Sequence, residues 1–245
     1  MSFLCNNFTA IVVAAVASLL AWLFGGARGD LLAPVAPWLL LFMVEAIVCF
    51  PQRHRGESSF SARERVWEEI RRSPLAWMAA GFLLLAMIPF ANTALCLRCD
   101  ADLVAQGISP APKLPILPFC INRLEHLNVV FWFAIALAAM VAVHFCLTRR
   151  GKRLVIELIV WNGAALAVFG FIQGAMNAPG PFWTDLAGGK STEGLFFSTF
   201  GYPNMAGDYF TTLFGLAVAL WRDRCEQMRR EAQEMDASTL AANEM

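Results

Sequence analysis

Long apolar runs recur along the chain, separated by shorter polar segments. A helix that crosses a bilayer needs about 17 to 25 mostly apolar residues, and six runs come close to that length. They cover residues 8–24, 31–50, 74–97, 128–147, 154–173 and 205–221. The pattern predicts an all-α, polytopic membrane helix bundle of about six transmembrane helices over residues 1–221, followed by a tail at 222–245.

One polar segment between these runs has a pattern of its own. Residues 51–73 are rich in Arg and Glu, and Ser61 and Glu64 have the spacing of a capping box before Val66, Trp67 and Ile70. This pattern predicts a short amphipathic helix that lies in the lipid headgroup layer. In the next run, Pro89 predicts a kink, because proline removes a backbone hydrogen bond.

The composition supports a membrane protein. Hydrophobic residues make up 58% of the chain and charged residues 16%, which excludes an ordinary soluble globule and a disordered chain. A formal net charge of zero gives no reason to expect a nucleic-acid partner. Membrane lipids are the expected partners, and no cofactor or metal site is predicted, because no carboxylates converge on the predicted outer side.

The basic residues predict an orientation. Fourteen of the 19 Lys and Arg residues fall after the second and fourth runs and in the tail. The other five are Arg28, Arg98, Lys113, Arg123 and Lys190. Cytoplasmic loops carry the excess of Lys and Arg, so both termini are predicted to be cytoplasmic and residues 198–204 to lie on the outer face.

Several residues outside this pattern are candidates for chemistry. His126 is the one histidine on the predicted outer side, where it is either a general base or an interfacial residue satisfied by Glu125, lipid or water. Glu45 and Glu157 lie within apolar runs, where an ionisable group often marks function. Their closeness to the cytoplasmic end favours side chains that reach toward Arg53 or Arg153.

Two further groups are interpreted as structural. Asn162 and Gln173, with Gly170 and Gly174 four residues apart, are typical of helix packing. Cys96 and Cys99 have the spacing of a redox pair, but nothing near them resembles a thioredoxin unit. A disulfide of one of them with Cys120 in an oxidising compartment is the simpler prediction.

The most distinctive stretch is Ser-Thr-Phe-Gly-Tyr-Pro-Asn at residues 198–204, which leads directly into an apolar run. Gly201 and Pro203 are turn residues, and Asn204 can cap the free N–H groups of the following helix. The start of a helix also attracts anions such as phosphate. From these residues alone, an ordinary helix start remains an alternative to a binding site.

Residues 199–209 resemble the Thr-Phe-Gly-Asn-Pro-Asn motif, followed by small residues and an aromatic, of the O-antigen ligase and O-antigen polymerase family. That family consists of multi-span glycosyltransferases of the bacterial inner membrane, which transfer a glycan from a lipid diphosphate carrier on the periplasmic face. The resemblance implies that an undecaprenyl-diphosphate-linked glycan is a partner. The substrate-binding residues that it implies are Lys190, Thr199, Phe200, Gly201, Pro203 and Asn204.

The chain also departs from the family pattern. Tyr202 stands where the family usually has Asn, and Lys190 replaces the Arg that usually precedes the motif. The later periplasmic loop with its catalytic His has no counterpart, so no catalytic residue is assigned. The resemblance therefore implies a truncated member of the family, or one completed by a partner protein that supplies the missing half. The alternatives are a non-catalytic membrane subunit and, third, a small transporter.

Overall fold

The structure is an all-helical protein. The computed structural model describes residues 2–23, 34–54, 56–93, 113–120, 123–183, 196–200 and 203–243. Within these ranges it contains seven α-helices and no β-strand, which confirms the all-α prediction. They are α1 (Ser2–Trp22), α2 (Ala36–Cys49), α3 (Ser59–Arg72), α4 (Pro74–Asn92), α5 (Arg123–Val141), α6 (Arg149–Ala175) and α7 (Pro203–Asn243). A π-helical segment, Ala142–Cys146, extends α5.

Three helices are long and apolar enough to cross a membrane. They are Pro74–Asn92, His126–Cys146 and Arg149–Ala175, and they correspond to the third, fourth and fifth predicted spans. The first two predicted spans coincide with shorter apolar helices, Asn6–Trp22 and Ala36–Cys49. The chain is therefore a membrane protein with three candidate spanning helices among the described residues.

The last helix differs from its prediction. The predicted sixth span lies inside α7, which continues for 41 residues and is not among the candidate spanning helices. No helix end occurs at residue 221, because the charged residues that follow extend the helix. Arg222 and Glu226 form one of the i,i+4 ion pairs that support it, with Nε and Oε1 3.3 Å apart.

The described chain forms two compact units. The first contains Met1–Val13 and Arg28–Gly151, and the second contains Ala14–Ala27 and Lys152–Met245. The first half of α1 thus belongs to one unit and its second half to the other.

In the first unit, a small apolar core lies beneath α3. Val66, Phe145 and Cys146 are buried together, and Ile47 and Ile70 pack against them. The amphipathic pattern predicted for this segment is confirmed as a helix, but its start is not at Ser61. The Ser58 hydroxyl caps α3 by accepting from the Ser61 backbone N–H at 3.1 Å, so the predicted cap is three residues too late.

A buried amide joins distant parts of this unit. The Gln52 side chain donates to Asn7 Oδ1 at 2.6 Å and accepts from the backbone N–H and the hydroxyl of Thr148 at 2.8 and 2.7 Å. Its backbone carbonyl accepts from Arg65 at 3.0 Å. We call Asn7, Gln52 and Thr148 the Gln52 cluster. It leaves no room beside Gly151, where an added Cβ would lie 2.1 Å from Gln52 Oε1.

Helix α4 continues through Pro89 to Asn92. Beyond Pro89, the Thr93 hydroxyl donates to the Pro89 carbonyl at 2.8 Å, and His126 Nε2 lies 2.8 Å from the Ala86 carbonyl oxygen. Pro89 has no N–H to donate within the helix. The two side chains bind carbonyl groups close to this missing backbone hydrogen bond.

The second unit is held together by packing of α1, α6 and α7. Ala21, Leu166, Phe200 and Ala206 form its buried core. Gly163 permits close approach, because a Cβ there would lie 2.0 Å from Leu213 Cδ1.

Polar contacts add to this packing at both ends of the interface between the helices. Trp22 Nε1 donates to Asn162 Oδ1 at 2.8 Å, and Asn162 donates to the Tyr209 hydroxyl at 3.3 Å. Arg153 forms ion pairs with Glu157 at 2.9 Å and Asp223 at 3.1 Å. The packing role predicted for Asn162 and the pairing predicted for Glu157 with Arg153 are therefore confirmed.

Candidate functional site

A tight turn at Phe197–Phe200 lies just before α7. The backbone N–H of Phe200 donates to the Phe197 carbonyl at 3.0 Å, and the reverse bond is 3.2 Å. Of the two central residues, only Ser198 has a positive φ, of 58°, as at the first central position of a type II′ turn. Glycine usually occupies that position, so Ser198 holds the turn at a cost in backbone energy.

Buried hydroxyl groups fix this turn to two helices. Ser198 Oγ donates to the Leu166 carbonyl of α6 at 2.8 Å, and Thr199 Oγ1 donates to the Ala21 carbonyl of α1 at 2.6 Å. Phe200 is buried against Tyr209 and Phe210, with ring centroids 5.1 and 6.1 Å away. Residues 198–200 therefore anchor the turn, and their side chains point into the protein.

An open cleft adjoins the same turn. Its volume is about 680 Å³, within the range of about 300 to 1,000 Å³ that is usual for small-molecule sites. The described residues that line it are Gly170, Phe171, Gln173, Gly174, Ala175, Asn177, Ala178, Phe196, Phe197 and Ser198. The cleft thus combines aromatic rings with side-chain amides, and none of these residues is charged.

Gln173 forms the floor of the cleft and is almost fully buried. In the orientation that satisfies its amide, the nitrogen donates to the Ser198 carbonyl and the oxygen accepts from the Phe182 N–H, both at 3.0 Å. Gly170 lies one turn earlier, where a Cβ would be 2.8 Å from the Phe197 ring. The end of α6 and the turn therefore fit closely on one side of the cleft.

The opposite side of this region is open. No described atom lies within 4 Å of a Cβ built on Gly174, and the Asn177 side chain is exposed at the cleft. Helix α6 ends at Ala175, and three of its last four carbonyl groups accept hydrogen bonds from the backbone N–H groups of residues 176–178. With no charged residue in its described lining, the cleft favours neutral hydrogen-bonding groups over a bare anion.

Backbone strain is concentrated in this region. Within the described part of the chain, the non-glycine residues with positive φ are Asn177, Phe182, Trp183 and Ser198. Two of them line the cleft, and the bulky Phe182 and Trp183 are unusual in this conformation. Such strain costs about 1 to 3 kcal/mol per residue and clusters at functional sites, which marks this end of the second unit as the strongest candidate site.

Four of the six predicted binding residues lie in the described part of the chain. Thr199 and Phe200 are buried as described, and Pro203 is the first residue of α7. Asn204 is exposed in the first turn of α7, so it follows the capping position instead of occupying it. Its amide makes no hydrogen bond with any described residue. Lys190, Gly201 and Tyr202 lie outside the described residues.

The contribution of α6 to the cleft was not predicted from the sequence. Gly170, Gln173 and Gly174 had been interpreted as packing residues, which is confirmed for Gly170 and Gln173. The sequence feature that could have indicated a site is the polar Gln173, followed by Gly174, at the end of an apolar run. Phe171 carried no separate signal within the apolar run, and Asn177 lies in the turn that follows α6.

The other residues that the sequence marked as candidates for chemistry lie outside the cleft. His126 is satisfied by the Ala86 carbonyl. Glu45 is exposed and, within the described part of the chain, forms no ion pair with Arg53 or any other residue, so that predicted contact is absent. Cys120 is a buried free thiol, its sulfur 3.1 Å from Thr93 Oγ1.

The free Cys120 thiol contradicts the predicted disulfide; Cys96 and Cys99 lie outside the described residues. No group of His, Cys, Asp and Glu residues in the described ranges could hold a metal ion.

Comparisons with known proteins give no relative from which a function could be transferred. No protein-family model, curated protein or solved structure matches the chain. The resemblance of residues 199–209 to the O-antigen ligase motif therefore stays a prediction.

Proposed function

We propose that the chain takes part in the transfer of a lipid-linked glycan, as an O-antigen ligase-like protein of the bacterial inner membrane. The observation that carries this proposal is the cleft of about 680 Å³ beside the Phe197–Phe200 turn. It lies next to the stretch that resembles the family motif, and its chemistry suits a sugar.

The lining groups match what a sugar ring offers. The Asn177 amide has both donors and acceptors for hydroxyl groups, and Phe171 and Phe197 provide apolar ring surfaces for the C–H faces of the sugar. The described lining of the cleft carries no cation that could hold the diphosphate there. The diphosphate therefore belongs near Lys190 and the first turn of α7, where Asn204 is exposed and free N–H groups attract anions.

The proposal includes a topology of six spans with both termini cytoplasmic. Its support is the three candidate spanning helices, the two shorter apolar helices and the apolar first half of α7. The asymmetry of Lys and Arg along the chain supports the orientation. The cleft then opens on the periplasmic side, where lipid-linked glycans are transferred.

The direct test blocks the cleft. Gly174→Leu adds a side chain to an open position of the cleft, whereas Gly215→Leu adds the same side chain to α7 at a position that is also open. In nanodiscs, we expect Gly174→Leu to weaken binding of a labelled undecaprenyl-diphosphate glycan by about tenfold or more, or about 1.4 kcal/mol. Gly215→Leu should bind like the wild type, and equal affinities for all three proteins would remove the cleft from the site.

A second experiment tests the diphosphate contacts. Lys190→Ala combined with Asn204→Ala should abolish retention of the labelled glycan lipid, because one change removes a cation and the other an exposed amide. Lys113→Ala is the control, since it removes another Lys of the predicted outer side. Unchanged binding in the double variant would exclude Lys190 and Asn204 from the site.

A non-catalytic membrane subunit is the second candidate, and one observation favours it. Among the described residues that line the cleft, none can act as a general base, and the Ser198 hydroxyl already donates to Leu166. This reading predicts that the purified chain binds the glycan lipid but transfers nothing until a partner protein supplies the catalytic half. Transfer by the chain alone would make it the enzyme.

A further inference from the structure

Helix α3 presents an aromatic and basic face that its core does not use. Ala62 and Val66 are buried on one side of the helix, whereas Phe60 and Trp67 are 69% and 54% exposed. Helical spacing places Arg63 and Arg71 on the same side as these two rings. Glu64 lies on the same side, one turn from each ring, whereas Arg71 lies beyond Trp67 at the end of the helix.

Arg71 is distinct among the arginines of this helix. Arg65 pairs with Glu57 and Glu69, and Arg72 pairs with Glu68. The Arg71 guanidinium carbon instead lies 4.9 Å from the centroid of the Trp67 ring. It forms no ion pair with a described residue, so its donors remain available while the ring restricts its position.

The surface continues onto the next helix. Only Ser73 separates α3 from α4, and the Trp77 indole N–H donates to the Arg71 carbonyl at 2.9 Å. Trp77 is itself exposed, and α4 is a candidate spanning helix whose most apolar stretch is only 6% buried inside the protein. The exposed apolar surface of α4 suits lipid tails, and in a spanning α4 the residues at its start, with Trp67 and Arg71, lie at the depth of the headgroups.

We propose that Arg71, with Trp67 and Trp77 beside it, binds the phosphate of an anionic phospholipid of the bilayer. A guanidinium matches phosphate with two parallel hydrogen bonds, and tryptophan rings favour the membrane interface. This site is independent of the proposed glycan cleft, because it lies in the other compact unit and uses none of the same residues.

The experiment compares two adjacent arginines on one helix. The full chain and its Arg71→Gln and Arg72→Gln variants are purified and placed in nanodiscs of phosphatidylcholine with increasing phosphatidylglycerol. Lipids that remain bound are counted by native mass spectrometry. The two substitutions remove the same charge from exposed positions, but Arg72 already pairs with Glu68.

We expect wild type to retain phosphatidylglycerol over phosphatidylcholine, and Arg71→Gln to reduce that preference about fivefold, as expected for one Arg near an anionic surface. Arg72→Gln should keep it, and Trp67→Ala should lower it. Equal losses in both arginine variants, or no preference in wild type, would overturn the proposal. Full competition by free inorganic phosphate would also overturn it, because the site would then bind a soluble anion.

Discussion

Two buried glutamines, one in each compact unit, perform the same local task in very different surroundings. Gln52 and Gln173 are 2% and 1% exposed, and each amide joins segments that are distant in the sequence. Around Gln52, the space is filled up to the backbone of Gly151. Around Gln173, the neighbouring Gly174 faces a cleft, and strained residues accumulate. A buried amide alone therefore does not mark a site, and open space beside it does.

The contrast between the two glutamines extends to their partners. Gln52 is bound by Asn7 and Thr148 side chains as well as by backbone groups, so every polar atom of its amide is used within the protein. Gln173 binds backbone groups of Ser198 and Phe182. The Asn177 side chain is exposed at the same cleft, where its amide can contact a ligand. The Gln52 cluster only holds parts of the fold together, whereas Gln173 holds the fold together and also lines a cleft that a ligand can enter.

The largest effect is expected from one substitution made at both ends of α6. In Gly151→Ala the new Cβ would displace the Gln52 amide and break its bonds to Asn7 and Thr148, leaving buried polar groups unpaired. We expect a loss of about 3 kcal/mol in the free energy of unfolding. Gly174→Ala meets no described atom within 4 Å and should cost nothing or stabilise by up to about 1 kcal/mol.

Unfolding of the two variants in the same detergent, followed by circular dichroism, measures this difference. The glycines share a helix, so any general effect of adding a methyl group is the same for both. If the two variants proved equally stable, the distinction between a closed Gln52 cluster and an open cleft would not hold.

A smaller effect is expected from the hydroxyl that anchors the turn beside the cleft. Thr199→Val keeps the shape of the side chain but removes the bond to the Ala21 carbonyl, which is buried. The expected loss is about 1.5 kcal/mol, the usual cost of an unpaired buried group. Thr212→Val is the matched control, because the Thr212 hydroxyl donates to the Asp208 carbonyl on an exposed part of α7.

Chemical denaturation of both threonine variants provides the measurement. Thr212→Val should change the free energy of unfolding by less than about 0.5 kcal/mol. A Thr199→Val protein as stable as the control would show that the bond to the Ala21 carbonyl does not anchor the turn.

The sequence was informative where a pattern is local. Apolar run length identified α4, α5 and α6, and the closeness of Glu157 to the predicted cytoplasmic end correctly favoured a contact with Arg153. The cap of α3 was misplaced because Ser58 and Ser61 both precede suitable helical residues, and only the fold selects between them.

The sites themselves depend on contacts that no local pattern records. Gln52 meets Thr148 across 96 residues, and Thr199 meets Ala21 across 178. The motif at residues 198–204 was found, but nothing in it indicates that Thr199 faces inward while Asn204 faces outward. Thr199 faces inward because its hydroxyl binds the Ala21 carbonyl of a helix far away in the sequence.

The smallest effect concerns the pH dependence of the Gln52 cluster. Glu57 holds Arg65 through bonds of 3.0 and 3.5 Å, and Arg65 in turn binds the Gln52 carbonyl. Burial alone would raise the pKa of Glu57, but hydrogen bonds from the Arg65 side chain and the His54 N–H, with the charge of Arg65, bring the pKa below its ordinary value of 4.5.

A lowered pKa in the folded state means that the Glu57 contribution is present above pH 4.5 and is lost as the pH falls through the folded value. We expect Glu57→Gln to cost about 1 kcal/mol at pH 7 and to converge with wild type at acidic pH. Unfolding measured from pH 7 down to the acid limit of the detergent tests this. If the difference between the two proteins stayed constant over that range, the ion pair would not stabilise the Gln52 cluster, and packing around Gly151 would be its main support.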